Sequence, residues 1–125
     1  MVFGKAGTTA VELSGIAAGT GGFVINGQKF YSTGALFAHW VAVKALNDEG
    51  RQVMAFVRRG TPGLRIVDDW SGFGQRTTAS GTVLLNEVEV DENNLIPLWP
   101  LADKPNIQGA FSQLIQAAID LGIAD

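Results

Sequence analysis

Glycine sets the first constraint on this chain. Sixteen glycines among 125 residues, nearly twice the ~7% background, fall between short apolar runs. Such punctuation suits many short strands joined by tight turns. Phe23-Val24-Ile25 and Gln28-Lys29-Phe30-Tyr31 flank Asn26-Gly27, a pair that favours the positive φ angles of a type I′ turn, so a hairpin is expected there. His39 to Leu46 and Val53 to Arg58 flank Asn47-Asp48-Glu49-Gly50 as a second hairpin. Thr61-Pro62-Gly63 punctuates the entry to Leu64-Arg65-Ile66-Val67, while Thr82 to Leu85 and Val88 to Val90 read as two late strands. The expected fold is mainly β, a small antiparallel β-barrel or sandwich, because closure removes the exposed edges that short strands leave.

The character changes after Asp91. Leu95-Ile96-Pro97-Leu98-Trp99-Pro100 carries two prolines, whose missing N–H groups keep it out of a central strand. From Ile107 the apolar residues recur at Phe111, Leu114, Ile115, Ala118 and Leu121, the spacing of an amphipathic helix. Asn106 or Asp103 is the expected cap. One C-terminal α-helix therefore follows the strands.

Composition excludes several functions. The net charge is −3 and no basic run exceeds Arg58-Arg59, so the clustered cations of a nucleic-acid surface are missing. No stretch approaches the ~18 apolar residues of a membrane span, and Met1 to Lys5 has no apolar signal core. A cytoplasmic home is the expectation. With no cysteine and a single histidine, disulfides, thiolate metal sites and multi-His metal sites are excluded. His39 lies in Phe37-Ala38-His39-Trp40, and a buried, neutral, backbone-bonded imidazole is expected rather than a catalytic base. The Gly19-Thr20-Gly21-Gly22 run lacks the strand-before, helix-after context of a nucleotide fingerprint and reads as a turn. Charged residues make up 17% of the chain, below the typical ~25%, which fits a large buried interface or a Gly-rich β composition.

Two segments carry a resemblance. Asp68-Asp69-Trp70-Ser71-Gly72-Phe73-Gly74-Gln75-Arg76-Thr77-Thr78-Ala79-Ser80-Gly81-Thr82 and Gly27-Gln28-Lys29-Phe30-Tyr31-Ser32-Thr33-Gly34 resemble the middle β-domain of the acyl-CoA dehydrogenase superfamily. The closer likeness is to its oxygen-using branch, the dibenzothiophene-type monooxygenases and sulfur-acquisition oxidoreductases that work with reduced flavin. The resemblance runs from about Gly21 to Asp125 and implies a barrel-type middle domain over residues 1–105. Residues 106–125 would open the first helix of a C-terminal helical domain. Phe3-Gly4-Lys5-Ala6 resembles the end of the family's flavin loop, but departs from it: relatives tend to have Asn at Lys5 and a Ser-Glu pair shortly after, where Gly7-Thr8-Thr9 stands here.

The resemblance assigns roles that the residues alone leave open. Phe30 would lie against the isoalloxazine ring of FMN or FAD and Ser32 would hydrogen-bond near its N5, with Tyr31 between them. An aromatic face and a neutral hydroxyl suit a flavin physically, but Phe30 as strand core and Ser32 as a strand-end hydroxyl suit the spacing equally. Trp70 and Phe73, beside flexible glycines, would shape the substrate wall, with Thr77, Thr78, Ser80 and Thr82 near polar groups of the cofactor. Arg76 has the geometry for a phosphate or is a solvated surface charge. Asp68 and Asp69 point to opposite faces if extended, which disfavours a shared acid–base site.

Two functional readings follow. The first is an isolated middle domain of a flavin-dependent oxidoreductase or monooxygenase, with at most residual flavin or small-molecule binding and no catalytic residue of its own. The alternative is a non-catalytic β-barrel binding or assembly module. In either, the unpartnered helix predicts a homo-oligomer, and neither nucleic acid nor membrane is a partner.

Overall fold

A computed structural model describes residues 12–15, 22–102, 104–105 and 107–124. Among the described residues seven strands follow one another: β1 (Glu12–Gly15), β2 (Gly22–Lys29), β3 (Trp40–Leu46), β4 (Gln52–Arg58), β5 (Leu64–Val67), β6 (Thr82–Asp91) and β7 (Leu95–Pro97). Two helices close it, α1 (Trp99–Ala102) and α2 (Gln108–Ala124). The strand order is β5-β6-β2-β1-β3-β4-β7. It divides into two antiparallel sheets, β5-β6-β2-β1 and β3-β4-β7, joined where Glu12 meets Leu46 in a single parallel bridge. The mainly β architecture with a C-terminal helix is the expected one.

Alternation builds the core. On β3 the inward Val41, Val43 and Ala45 face Val57, Ala55 and Val53 of β4 directly across the ladder. Ile25 of β2 faces Val88 of β6 in the same way, and Val83 and Leu85 extend that face. All of these belong to one buried cluster. Ile25, Val43, Val57, Val83 and Val88 are fully buried, each contributing roughly 1.5–3 kcal/mol of transfer free energy.

The second expected hairpin is present. Asn47 holds its turn by accepting hydrogen bonds at Oδ1 from the amides of Glu49 (3.1 Å) and Arg51 (2.8 Å), and Gly50 supplies a φ of 73°. The first is not a hairpin. β2 runs straight through Asn26-Gly27, and its register against β6 shifts between Ile25 and Gly27. The local turn signal is used for a β-bulge instead, the other setting that needs an unusual backbone at glycine. Asn26 Oδ1 accepts from the Glu87 amide at 2.7 Å, and Glu87 itself has a φ of 50°. That kink lets the two late strands read from the sequence join as the single strand β6.

Proline placement follows its chemistry. β7 ends at Pro97 and, among the described residues, pairs only with β4 at one edge of the sheet, where a missing N–H costs nothing. Arg51 stacks over Trp99 of α1, 4.6 Å from the ring centroid. The cap residues Asp103 and Asn106, the Phe3 to Ala6 loop and residues 19–21 of the expected turn lie outside the described residues. From Gly109 to Ala124 every residue of α2 is exposed.

Candidate functional site

The site begins where β2 stops. Lys29 is the last residue of β2, and Tyr31 then takes a φ of 54°, a left-handed backbone rare for a bulky side chain. That turn interrupts strand alternation between Phe30 and Ser32. The Ser32 amide donates to Gly81 O at 2.9 Å and the Gly34 amide to Ala79 O at 3.1 Å. The end of β2 is thereby tied to the segment that enters β6.

Two clefts open on either side of half-buried Phe30. The first, about 350 Å³, is lined by Phe30, Tyr31, Asp69, Trp70, Ser71, Gly72, Ser80 and Thr82. Tyr31 meets Trp70 edge-on at 5.8 Å between centroids. Gly72 is required under Trp70, because a Cβ there would stand 2.3 Å from the indole ring. The indole N–H donates to Gln75 O at 3.0 Å. Asp69 accepts from the Thr82 amide at 2.8 Å and from the Thr82 hydroxyl at 2.7 Å. Ser80 donates to Thr78 Oγ1 at 3.0 Å and shares a hydrogen bond with Thr33 Oγ1 at 2.8 Å, and Thr78 Oγ1 donates to Gln75 O at 3.1 Å. The Thr33–Ser80 pair therefore ties the 68–82 segment to the chain just past β2, while the hydroxyls of Thr78 and Thr82 brace that segment internally.

The second cleft, about 560 Å³, lies between the end of β2 and β3, and Lys29, Phe30, Ser32, Ala35, Trp40, Lys44, Gln52 and Met54 are among its lining residues. Among the described residues β1 pairs only with Phe23 to Asn26 of β2, so no described strand separates the rest of β2 from β3. Its far wall is the turn over Ala35 to Ala38, which Arg59 clamps: its guanidinium donates to Ala38 O and Ala35 O, each at 2.8 Å, and to Leu36 O. Burial and the neighbouring Lys44 ammonium both push the Lys29 pKa below the usual lysine value. Among the described residues, the Ser32 hydroxyl has no hydrogen-bond partner.

Of the residues the resemblance singled out, the structure brings Phe30, Tyr31, Trp70 and Ser80 together on the first cleft, and Phe30 and Ser32 on the second. Thr78 stands behind Ser80. Phe73 and Arg76 lie elsewhere: both are exposed on the crest of the 68–82 segment, outside either lining. His39 is exposed too, which overturns the expectation of a buried imidazole. Its neighbours Phe37 and Trp40 are themselves exposed, so the apolar setting faces outward at the entry to β3. Asp68 takes no part in the Asp69–Thr82 contact. Lys29, Lys44 and Arg59 were not singled out from the sequence, and their only signal was charge within otherwise apolar strands and turns. No group of three or more potential metal ligands exists among the described residues.

Comparison with known proteins agrees with the fold. Residues 4–88 match the acyl-CoA dehydrogenase middle domain. The chain belongs to that family. This middle domain is 31% identical over 112 residues to the amino sugar nitrososynthase DnmZ of Streptomyces peucetius, a match covering 84% of this chain and 28% of DnmZ. It is 29% identical over 125 residues to a dibenzothiophene monooxygenase of Mycolicibacterium goodii, covering 90% of this chain and 30% of that protein. Among solved structures, FMN-bound TdsC from Paenibacillus sp. A11-2 superimposes with a TM-score of 0.63 at 29% identity, over 70% of this chain and 23% of TdsC. The chain thus spans about 30% of the length of the curated relatives it matches, and others among its relatives include a probable FMNH2-dependent monooxygenase, SfnC of Pseudomonas putida.

Proposed function

We propose that this chain supplies the middle-domain wall of a flavin site in an oxidoreductase of the monooxygenase branch. The observation that carries the reading is the end of β2. Phe30 offers a half-buried aromatic face to the cleft, and the Ser32 hydroxyl beside it makes no hydrogen bond among the described residues, unlike those of Thr33, Ser80 and Thr82. That pair fits a planar heteroaromatic ring with a polar edge. The cleft volume falls in the range of small-molecule sites, ~300–1,000 Å³. Flavin, FMN or FAD, supplies the redox chemistry when bound. Phe30 orients the ring by apolar contact, Ser32 holds a hydrogen bond at its polar edge, and the hydroxyl chain behind them fixes the wall. One wall leaves much of a flavin exposed, so affinity is weak and turnover by this domain alone is not expected. Titration with FMN and FAD, followed by flavin fluorescence, tests the reading. Phe30→Ala and Ser32→Ala should each weaken binding about tenfold, and binding unaffected by both would reject it.

A second reading, an assembly module, is favoured by α2. Ile107 and, on the helix, Phe111, Leu114, Ile115, Ile119, Leu121 and Ile123 are all exposed. An apolar surface reaching this far around a helix is characteristic of one buried against neighbours. Self-association through α2, with residues 106–125 as a helical unit distinct from residues 1–105, is the corresponding proposal. Light scattering on the intact chain and on Leu114→Glu tests it. A dimer or larger species lost in the variant supports it, and a monomer at ~100 µM contradicts it.

A further inference from the structure

Every backbone polar group of Ser32 is committed. Its amide donates to Gly81 O at 2.9 Å and its carbonyl accepts from the Ala35 amide at 3.0 Å. The Thr33 amide closes a three-residue turn around it onto Tyr31 O at 2.9 Å. Directly before it stands the left-handed Tyr31, a conformation that persists only where the surroundings over-determine it. On this held backbone the Ser32 hydroxyl makes no hydrogen bond among the described residues. The support behind it has a direction. Thr78 Oγ1 gives its only proton to Gln75 O at 3.1 Å, and Ser80 gives its own to Thr78 at 3.0 Å. A hydroxyl has one proton to donate, so in the 2.8 Å contact between Thr33 and Ser80 the donor is Thr33. Three hydroxyls therefore run one way, from Thr33 through Ser80 to Thr78. They end on a carbonyl that also accepts from the Trp70 indole and the Thr78 amide, each at 3.0 Å. Hydrogen bonds aligned in this way strengthen one another. Ser80 is only 7% exposed, and neither it nor Thr78 lines the second cleft, where Ser32 and Thr33 both do.

We infer that Ser80 is a positioning residue for Ser32. By taking the Thr33 proton and passing its own to Thr78, it holds the turn that aims the Ser32 hydroxyl, and it touches no ligand itself. This rests on the flavin reading, in which Ser32 makes the polar contact. It gives Ser80 and Thr78 a supporting role in place of the cofactor contact that the resemblance implies. Double-mutant cycles on FMN affinity, followed by flavin fluorescence with the 125-residue chain, separate aiming from direct contact and from general loosening. Ser80→Ala and Thr33→Val should each weaken FMN about fivefold in the parent chain. With Ser32→Ala already present, each should change affinity by less than about twofold. With Phe30→Ala present, each should keep its full effect, because the ring contact does not depend on where the hydroxyl points. Thr33→Ser, which keeps the proton, should bind FMN as the parent does. Amide hydrogen exchange without flavin supplies a second readout: Ser32 and Gly34 should exchange about tenfold faster in Thr33→Val and unchanged in Thr33→Ser. Thr33 is exposed, so Thr33→Val decides the question even if Ser80→Ala impairs folding. Losses that add fully to Ser32→Ala, or exchange unchanged in Thr33→Val, overturn the proposal. FMN binding sensitive to Ser32→Ala but indifferent to Ser80→Ala and Thr33→Val overturns it as well, and leaves the flavin reading standing. No FMN binding at millimolar protein, or binding indifferent to both Phe30→Ala and Ser32→Ala, rejects the flavin reading and this proposal with it.

Discussion

The two clefts beside Phe30 share a side chain and little else. In the first, Asp69 is spent on Thr82, Ser80 on Thr33 and Thr78, and the Trp70 indole on Gln75. In the second, Lys29 and Ser32 sit at the rim of a strand gap with no such commitments among the described residues. A satisfied polar group rigidifies a wall, whereas one held in place but unsatisfied is prepared for a ligand. The first cleft is therefore read as a latch that fixes the end of β2, and the second as the face that the latch presents.

Breaking the latch should give the largest effect. A Cβ on Gly81 would stand 2.0 Å from Val67 O and 3.0 Å from Asp69 Oδ1. Gly81→Ala should cost about 3 kcal/mol, the upper end of overpacking penalties, read as a lower urea midpoint. Asp69→Ala leaves the buried Thr82 hydroxyl and amide without their acceptor, and should cost about 2 kcal/mol. Neither residue lines the second cleft. If either substitution left stability unchanged, the latch would not be structural and the contrast between the clefts would fail.

The second cleft should instead show itself through pH. The Lys29 pKa is lowered by burial and by Lys44 from 10.5. Between the lowered value and 10.5 the unfolded chain binds more protons than the folded one, so stability should rise with pH across that window. Below the window the repulsion is fully present. The effect is small, and denaturation midpoints from pH 8 to 10.5 should show it in the parent chain and lose it in Lys29→Met. A slope unchanged in that variant would remove Lys29 as its source.

The smallest effect is expected at the hinge between the clefts. Tyr31→Gly removes the edge contact with Trp70, worth about 0.5–1.5 kcal/mol, and relieves a left-handed backbone costing about 1–2 kcal/mol. Net stability should therefore stay within about 1 kcal/mol of the parent, while Tyr31→Phe should leave both terms in place. A large loss in the glycine variant would mean that the ring contact dominates the turn.

Legibility from the sequence tracked the range of the interactions. The Asn47 turn was readable because its donors lie within four positions of it. The bulge at Asn26-Gly27 was not, because the group that Asn26 binds lies 61 positions away on β6 and the same dipeptide serves both a turn and a bulge. Helix α2 announced itself by its period, which needs no partner to be visible. At the site, Phe30 and Ser32 came from a motif resemblance, whereas the cleft between the end of β2 and β3 depends on how strands distant in sequence are placed, which no local pattern shows. His39 shows the converse error. An apolar neighbourhood in sequence was taken for an interior, though these residues face outward at the entry to β3.

The most direct test of the central claim is an amide and indole NMR titration of the chain with FMN. Shifts concentrated on Phe30, Ser32, Thr33 and the Trp40 indole, with Phe73 to Arg76 unmoved, are the predicted result. Shifts confined to the Phe73 to Arg76 crest, or none at millimolar FMN, would contradict it.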